Sequence, residues 1–341
     1  MKNNNDNTTL QLGGYKDQEQ LKKILDEALE SNIYSFCLTC FKTNGQGLSY
    51  ISDFLGNKNS LTDICVSETN TGNEIPEILV SLKYNSLTAL SFINNEIDDD
   101  GLLLISEVLQ NNTAITRLNL LGNKIGEGWQ SLSNALKVNT SLHSLILDWN
   151  NITPEKLKII SECKNNSLTN LSLQANPVEK GLKDLLNNWK SIATLDLTNA
   201  DLKDNEFLGI GVYTSLTKLN LRSNNIKGNG LKEVINNFPL LTSLNVGNNE
   251  LKNEDLKGIS FGTMPLTDLN FAGNRISHRA AKYLSDALKH NTTLTSLNFC
   301  DNHDIWEEKI VRDSFSISSL KSIYLSGEDG DWNILGSDFL T

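Results

Sequence analysis

Leu87-Thr88-Ala89-Leu90-Ser91-Phe92-Ile93-Asn94-Asn95 and Ile115-Thr116-Arg117-Leu118-Asn119-Leu120-Leu121-Gly122-Asn123 are two copies of one frame, L-x-x-L-x-L-x-x-N. The frame returns at Leu142, Leu168, Ile192, Leu216, Leu241, Leu266, Leu294 and Leu320. Looser copies begin at Leu61 and Ile33, and a degenerate one starts near Asn7, with Leu10 and Leu12 on apolar positions. Successive starts from Ile33 lie 24 to 28 residues apart. A fixed period in this range is the mark of stacked repeats.

Each copy changes its period halfway. The first half alternates apolar and polar residues, as at Leu118 and Leu120, which predicts a strand with one buried face. The second half spaces apolar residues by three and four, as in Leu102, Ile105, Val108 and Leu109, which predicts an amphipathic helix. One such unit cannot enclose its own apolar face, so neighbouring copies must stack to close a core. The copies from Ile192 to Leu241, only 24 or 25 residues long, predict shorter or irregular second halves.

The ninth frame position is held by Asn95, Asn123, Asn150, Asn176, Asn224, Asn249, Asn274 and Asn302. After the strand the chain turns inward and leaves buried N–H and C=O groups without strand partners. A carboxamide carries both a donor and an acceptor for them. These eight therefore read as a structural Asn ladder, and Ala200, in the same slot, predicts a weaker turn.

The repeated frame resembles the leucine-rich repeat family, and second halves such as residues 97–111 resemble its ribonuclease-inhibitor-like subclass. The resemblance covers nearly the whole chain. It implies an α/β solenoid, a horseshoe of about 12–13 repeats with parallel strands on the concave face and helices on the convex face. Residues 1–32 read as an N-terminal capping unit with the degenerate first repeat, 33–325 as the repeats, and 326–341 as a C-terminal cap. The first cap carries Leu21, Ile24, Leu25, Ala28 and Leu29 at helical spacing; the second has an acidic turn followed by Trp332, Ile334 and Leu335. Members of the family include enzyme inhibitors, immune sensors, GTPase activators and bacterial effectors delivered into host cells. Fold alone does not choose among these.

Composition narrows the choice. With 30 Lys and Arg against 41 Asp and Glu, the 341 residues carry a formal charge of −11. That balance argues against a nucleic-acid partner, because phosphate binding is driven by cationic side chains. No run of 18 apolar residues is present to insert into a membrane. Five scattered cysteines and the absence of a cleavable signal pattern predict free thiols and a cytoplasmic location, extending to a host cytosol for a secreted effector. The sequon at Asn139 reads as a chance product of an Asn- and Ser/Thr-rich chain.

Catalytic signatures are missing. The chain contains no G-x-x-x-x-G-K-[ST], no H-E-x-x-H and no G-x-S-x-G. Its four histidines fall in different slots, and Cys37-x-x-Cys40 is half of a zinc site without a second half. Neither an enzyme, a cofactor nor a metal is expected.

What remains is the face of the sheet turned away from the leucines. Its fifth position is polar in the C-terminal copies, where Asn220, Asn245, Asn270 and Asn298 suggest amides bonded across adjacent strands. In the central copies Ile93, Leu121 and Ile146 are apolar, Trp149 follows at position eight, and Arg117 and Asp148 frame them. Apolar side chains gathered on a solvent-facing sheet point to a covering surface, and Trp and Arg are enriched in binding hot spots. The alternative is that Trp149 or a chain terminus seals this patch. Lys218 and Arg222, beside Asp196, form a mixed-charge cluster suited to steering. The reading is a monomeric, non-catalytic scaffold that binds a protein partner on its concave face. The competing readings are an enzyme inhibitor on the same solenoid and a GTPase activator, the latter drawing on Arg275 and Arg279.

Overall fold

The computed structural model describes residues 8–15, 17–42, 45–69, 86–302, 321–326 and 332–336. Asn7 of the degenerate copy, the copy start at Leu320, the acidic stretch 327–331 and His303 lie outside the described residues, as do the side chains of Trp332, Ile334 and Leu335. The chain divides into two compact units, one holding residues up to Asn150 with Glu155–Leu171, the other Asn151–Pro154 with the residues from Ser172 onward.

In the first unit, strands β1 (Thr9–Tyr15), β2 (Ser35–Lys42), β3 (Asp63–Ser67), β4 (Ala89–Ile93), β5 (Arg117–Asn119) and β6 (Ser144–Ile146) pair in chain order, every pair parallel. Between strands run α1 (Gln18–Leu29), α2 (Gly45–Asn57), α3 (Asp99–Asn111) and α4 (Trp129–Val138); α5 (Pro154–Ser161) leads to β7 (Asn170–Ser172). The Asp17 carboxylate caps α1 by accepting the backbone N–H groups of Glu19 and Gln20, and α1 packs beside α2.

In the second unit, β8 (Thr194–Asp196), β9 (Lys218–Asn220), β10 (Ser243–Asn245), β11 (Asp268–Asn270), β12 (Ser296–Asn298) and β13 (Ser322–Ser326) are again parallel, and β14 (Trp332–Gly336) runs antiparallel to β13. The connecting helices are α6 (Leu182–Asn188), α7 (Gly228–Asn237) and α8 (Ala281–Leu288). The copies from Ile192 and Leu241 hold only the four-residue 3-10 turns Asp204–Phe207 and Asn253–Leu256, as their short spacing predicts. The copy from Leu216 is equally short yet keeps the ten-residue α7. Two glycines admit it between the turns on either side, since a Cβ on Gly230 would stand 2.5 Å from Asp204 Oδ1 and one on Gly228 2.8 Å from Asp255 Oδ1.

Alternation fixes the core. Frame positions one, four and six are buried in copy after copy, as with Ile115, Leu118 and Leu120, and each such side chain stabilises the fold by about 1.5–3 kcal/mol. Trp129 and Trp189 are fully buried, and their indole N–H groups find no acceptor among the described residues.

Three polar ladders tie the copies together. In the ninth position Asn123 donates to the Phe92 and Leu120 carbonyls, both at 2.8 Å, and accepts the backbone N–H groups of Asn95 at 3.3 Å and Ile97 at 3.2 Å. Ala200 lacks these donors, but its own N–H is taken by Asn224 Oδ1 at 3.0 Å. A second Asn row stands three residues before the frame: Asn139 donates to the Leu109 and Asn112 carbonyls and accepts from Ser141 and Leu142 N–H. Asn112, Asn165 and Asn291 repeat its acceptor role, so the Asn139 sequon belongs to a buried structural element and is no chance product. A third row is threonine at position two, where Thr242 and Thr267 hydroxyls each donate at 3.0 Å to the same-slot carbonyl of the preceding copy.

Candidate functional site

Position eight decides what the helix-free face presents. Cys40, Glu68, Asn94, Gly122, Trp149, Ala175, Asn199, Ser223, Asn248, Gly273 and Asp301 all have φ between +48° and +69°. The left-handed residue turns the chain off the strand while its N–H still reaches the next copy, as with Asn94 N to Leu121 O at 2.9 Å and Gly122 N to Asp148 O at 2.9 Å. Gly and Asn tolerate this conformation best. Trp149 is the only aromatic in the slot among the described copies, at φ +57°, and the residue is 59% exposed to solvent.

Trp149 therefore does not fold down as a seal. Ile93, Leu121 and Ile146 are half-buried on the same face of the first unit, with Ile146 in register opposite Asn119. Two of the framing residues differ from expectation. Asp148 is only 6% exposed and is no part of the open surface. Arg117 turns the other way and reaches Asp63 at 3.3 Å, two strands back; the intervening residue in that register is Ala89, too small to block it. The Arg117 side chain is largely solvated and that of Asp63 partly so, and the pair contributes little stability.

In the second unit Lys218 and Arg222 are exposed, but neither uses Asp196. The Asp196 carboxylate instead accepts Thr198 N–H at 2.9 Å and the Asn220 amide at 3.0 Å. Arg222 points along the sheet, and the Asn248 amide oxygen accepts from its Nε at 3.2 Å and its Nη2 at 3.0 Å. The expected cross-strand Asn array is also absent among the described residues. Asn220, Asn245, Asn270 and Asn298 each turn the amide oxygen to the backbone N–H two residues on, at 2.8–3.1 Å, closing a local turn where the strand ends. Arg275 pairs with Glu250 at 3.5 Å.

Cys37 and Cys65 face one another in register across β2 and β3. A hydrogen bond from the Cys65 thiol, followed by one from Thr39, lowers the Cys37 pKa to about 6 against the cost of burial, and the same bond raises that of Cys65. Cys40 turns elsewhere and donates to Glu68 at 3.1 Å, which raises its pKa. The two thiols of the C-x-x-C spacing thus have separate partners.

The Leucine Rich repeat family model matches the chain at residues 138–155, 214–234 and 239–260. No curated protein matches the sequence. Among solved structures the chain is similar to an internalin (inlF) from Listeria monocytogenes, with 20% identity over 92% of this chain and 86% of that one, at a TM-score of 0.54. It is also similar to the plant peptide hormone receptor RGFR1, solved in complex with RGF2, with 18% identity over 95% of this chain and 51% of the receptor, at a TM-score of 0.42. The chain carries leucine-rich repeats and folds as a leucine-rich-repeat solenoid.

Proposed function

We propose that the protein is a non-catalytic scaffold of the ribonuclease-inhibitor-like subclass, whose concave sheet face holds a protein partner through Trp149 with Ile93, Leu121 and Ile146. The observation that carries this reading is Trp149, a large aromatic side chain standing in solvent on a left-handed turn where the other copies use mostly small or polar residues. Its exposure costs free energy in the isolated chain and is recovered when a partner covers it. In the second unit Lys218 and Arg222 supply exposed positive charge on an otherwise acidic molecule, favouring acidic partner surfaces. The subclass is supported by the α-helices of 8 to 13 residues in the copies that hold α3, α4, α5, α7 and α8. Action in a reducing cytoplasm is supported by five free cysteines.

Affinity capture from a eukaryotic lysate, run in parallel with the native chain and with Trp149→Ala/Leu121→Asp, tests the reading. Proteins held by the native chain should disappear from the variant, while its circular-dichroism spectrum is retained. An identical captured set would exclude the central patch as the docking surface.

A further inference from the structure

A pocket of about 100 Å³ lies on the helix-free face of the second unit, over β9 to β12. Its floor is Gly247 and Ala272, the smallest side chains in the seventh position, and Asn245, Asn270 and Asn298 stand along it in register. Arg222 closes one end and Asp301 lies on the rim at the other.

The amides in this pocket have a fixed sense. Asn245 Oδ1 is held by Gly247 N–H at 2.9 Å and Asn270 Oδ1 by Ala272 N–H at 2.8 Å. With the oxygens committed, both NH2 groups turn outward as donors, spaced by one strand gap of about 4.8 Å. Neither has an acceptor among the described residues. Arg222 adds further donors and a full positive charge, and it is steadied by Asn248 at 3.2 and 3.0 Å. A wall of donors around a cation takes an anionic acceptor.

We propose that this pocket binds a carboxylate, the side chain of an Asp or Glu presented by the partner protein, with Arg222 as counter-ion and the Asn245 and Asn270 amides as paired donors. The pocket has room for a carboxylate and its adjoining methylenes. A phosphate dianion is disfavoured, because a single guanidinium leaves excess charge beside the Asp301 carboxylate. The proposal rests on the scaffold reading only in assigning the carboxylate to a protein. The pocket itself answers to a small probe.

The probe is N-acetyl-glutamate N-methylamide, titrated into the full-length, isotope-labelled chain while the side-chain NH2 resonances of Asn245 and Asn270 are followed by NMR. Both should shift saturably, and the neutral N-acetyl-glutamine N-methylamide should move them at least tenfold less at equal concentration. Arg222→Gln and Asn245→Asp should each weaken binding at least tenfold. Asn245→Asp keeps the local turn, as Asp196 does naturally by accepting Thr198 N–H at 2.9 Å, while it replaces the outward donor with a negative charge that repels the probe. Trp149→Ala/Leu121→Asp should leave probe binding unchanged, so loss of partner capture and loss of the carboxylate site are separable. Equal shifts with the glutamine analogue, tighter binding of inorganic phosphate, or unaltered affinity in folded Arg222→Gln and Asn245→Asp would overturn the proposal.

Discussion

Asn94 Oδ1 occupies the space where a Cβ on Gly122 would stand, 1.8 Å from it, and Gly122 itself sits at φ +68°. The Asn248 carboxamide likewise lies over Gly273, which sits at φ +67°. A glycine in the left-handed slot lets the amide of the preceding copy lie across the turn. Gly122→Ala should therefore destabilise the chain by about 1–2 kcal/mol from backbone conformation alone, with more from displacing Asn94. Urea unfolding of Gly122→Ala in native and Asn94→Gly backgrounds separates the two parts. Equal losses in both backgrounds would show that the amide contact is immaterial.

Asn150 donates to the Leu120, Leu147 and Asp148 carbonyls at 2.8, 3.0 and 3.0 Å and is 2% exposed. Asn150→Ala should cost roughly 2–4 kcal/mol, since each buried group left unsatisfied costs about 1–3 kcal/mol. Asn150→Asp should be no better, because a carboxylate donates nothing to carbonyls. Chemical unfolding followed by circular dichroism measures both.

Cys37, with its pKa lowered to about 6 by the Cys65 thiol, should be mostly thiolate at pH 7. Iodoacetamide labelling read by peptide mass spectrometry should give a Cys37 rate that is half-maximal near pH 6. Cys65→Val removes the donor and should move that midpoint toward the ordinary value of 9.0. A native midpoint already near 9 would contradict the bond.

Tyr213 is buried, its hydroxyl donating to the Trp189 carbonyl, and burial pushes its pKa up to about 12. The unfolded chain releases this proton near pH 10, before the folded one does, so stability contributed by the neutral phenol falls as pH rises through 10 toward 12. Alkaline unfolding should lose part of that pH dependence in Tyr213→Phe. At neutral pH the same variant should lose about 1–2 kcal/mol, because the Trp189 carbonyl is left without its donor.

The repeat frame itself was legible because side-chain alternation is a local property: Leu118 and Leu120 point one way whatever lies beyond them. Other regularities were equally present in the sequence but carried no apolar signal. Thr242 and Thr267 at position two, and Asn139 and Asn165 before the next frame, became meaningful only when a carbonyl of the preceding copy was seen to face them. The length of α7 was not legible from spacing either, since it depends on Gly228 and Gly230 meeting Asp255 and Asp204 of other copies.

The period, the core positions and the slots where asparagine recurs are set by residue order alone, since each follows from composition at fixed intervals along one chain. Which polar groups stay open to solvent depends instead on how the copies pack. Arg117 passes over Ala89 to Asp63, Asp148 sinks out of reach, and Asn245 turns its oxygen to Gly247. Those outcomes depend on the size and hydrogen-bonding capacity of residues more than twenty positions away, or on a turn whose left-handed backbone no side-chain pattern announces.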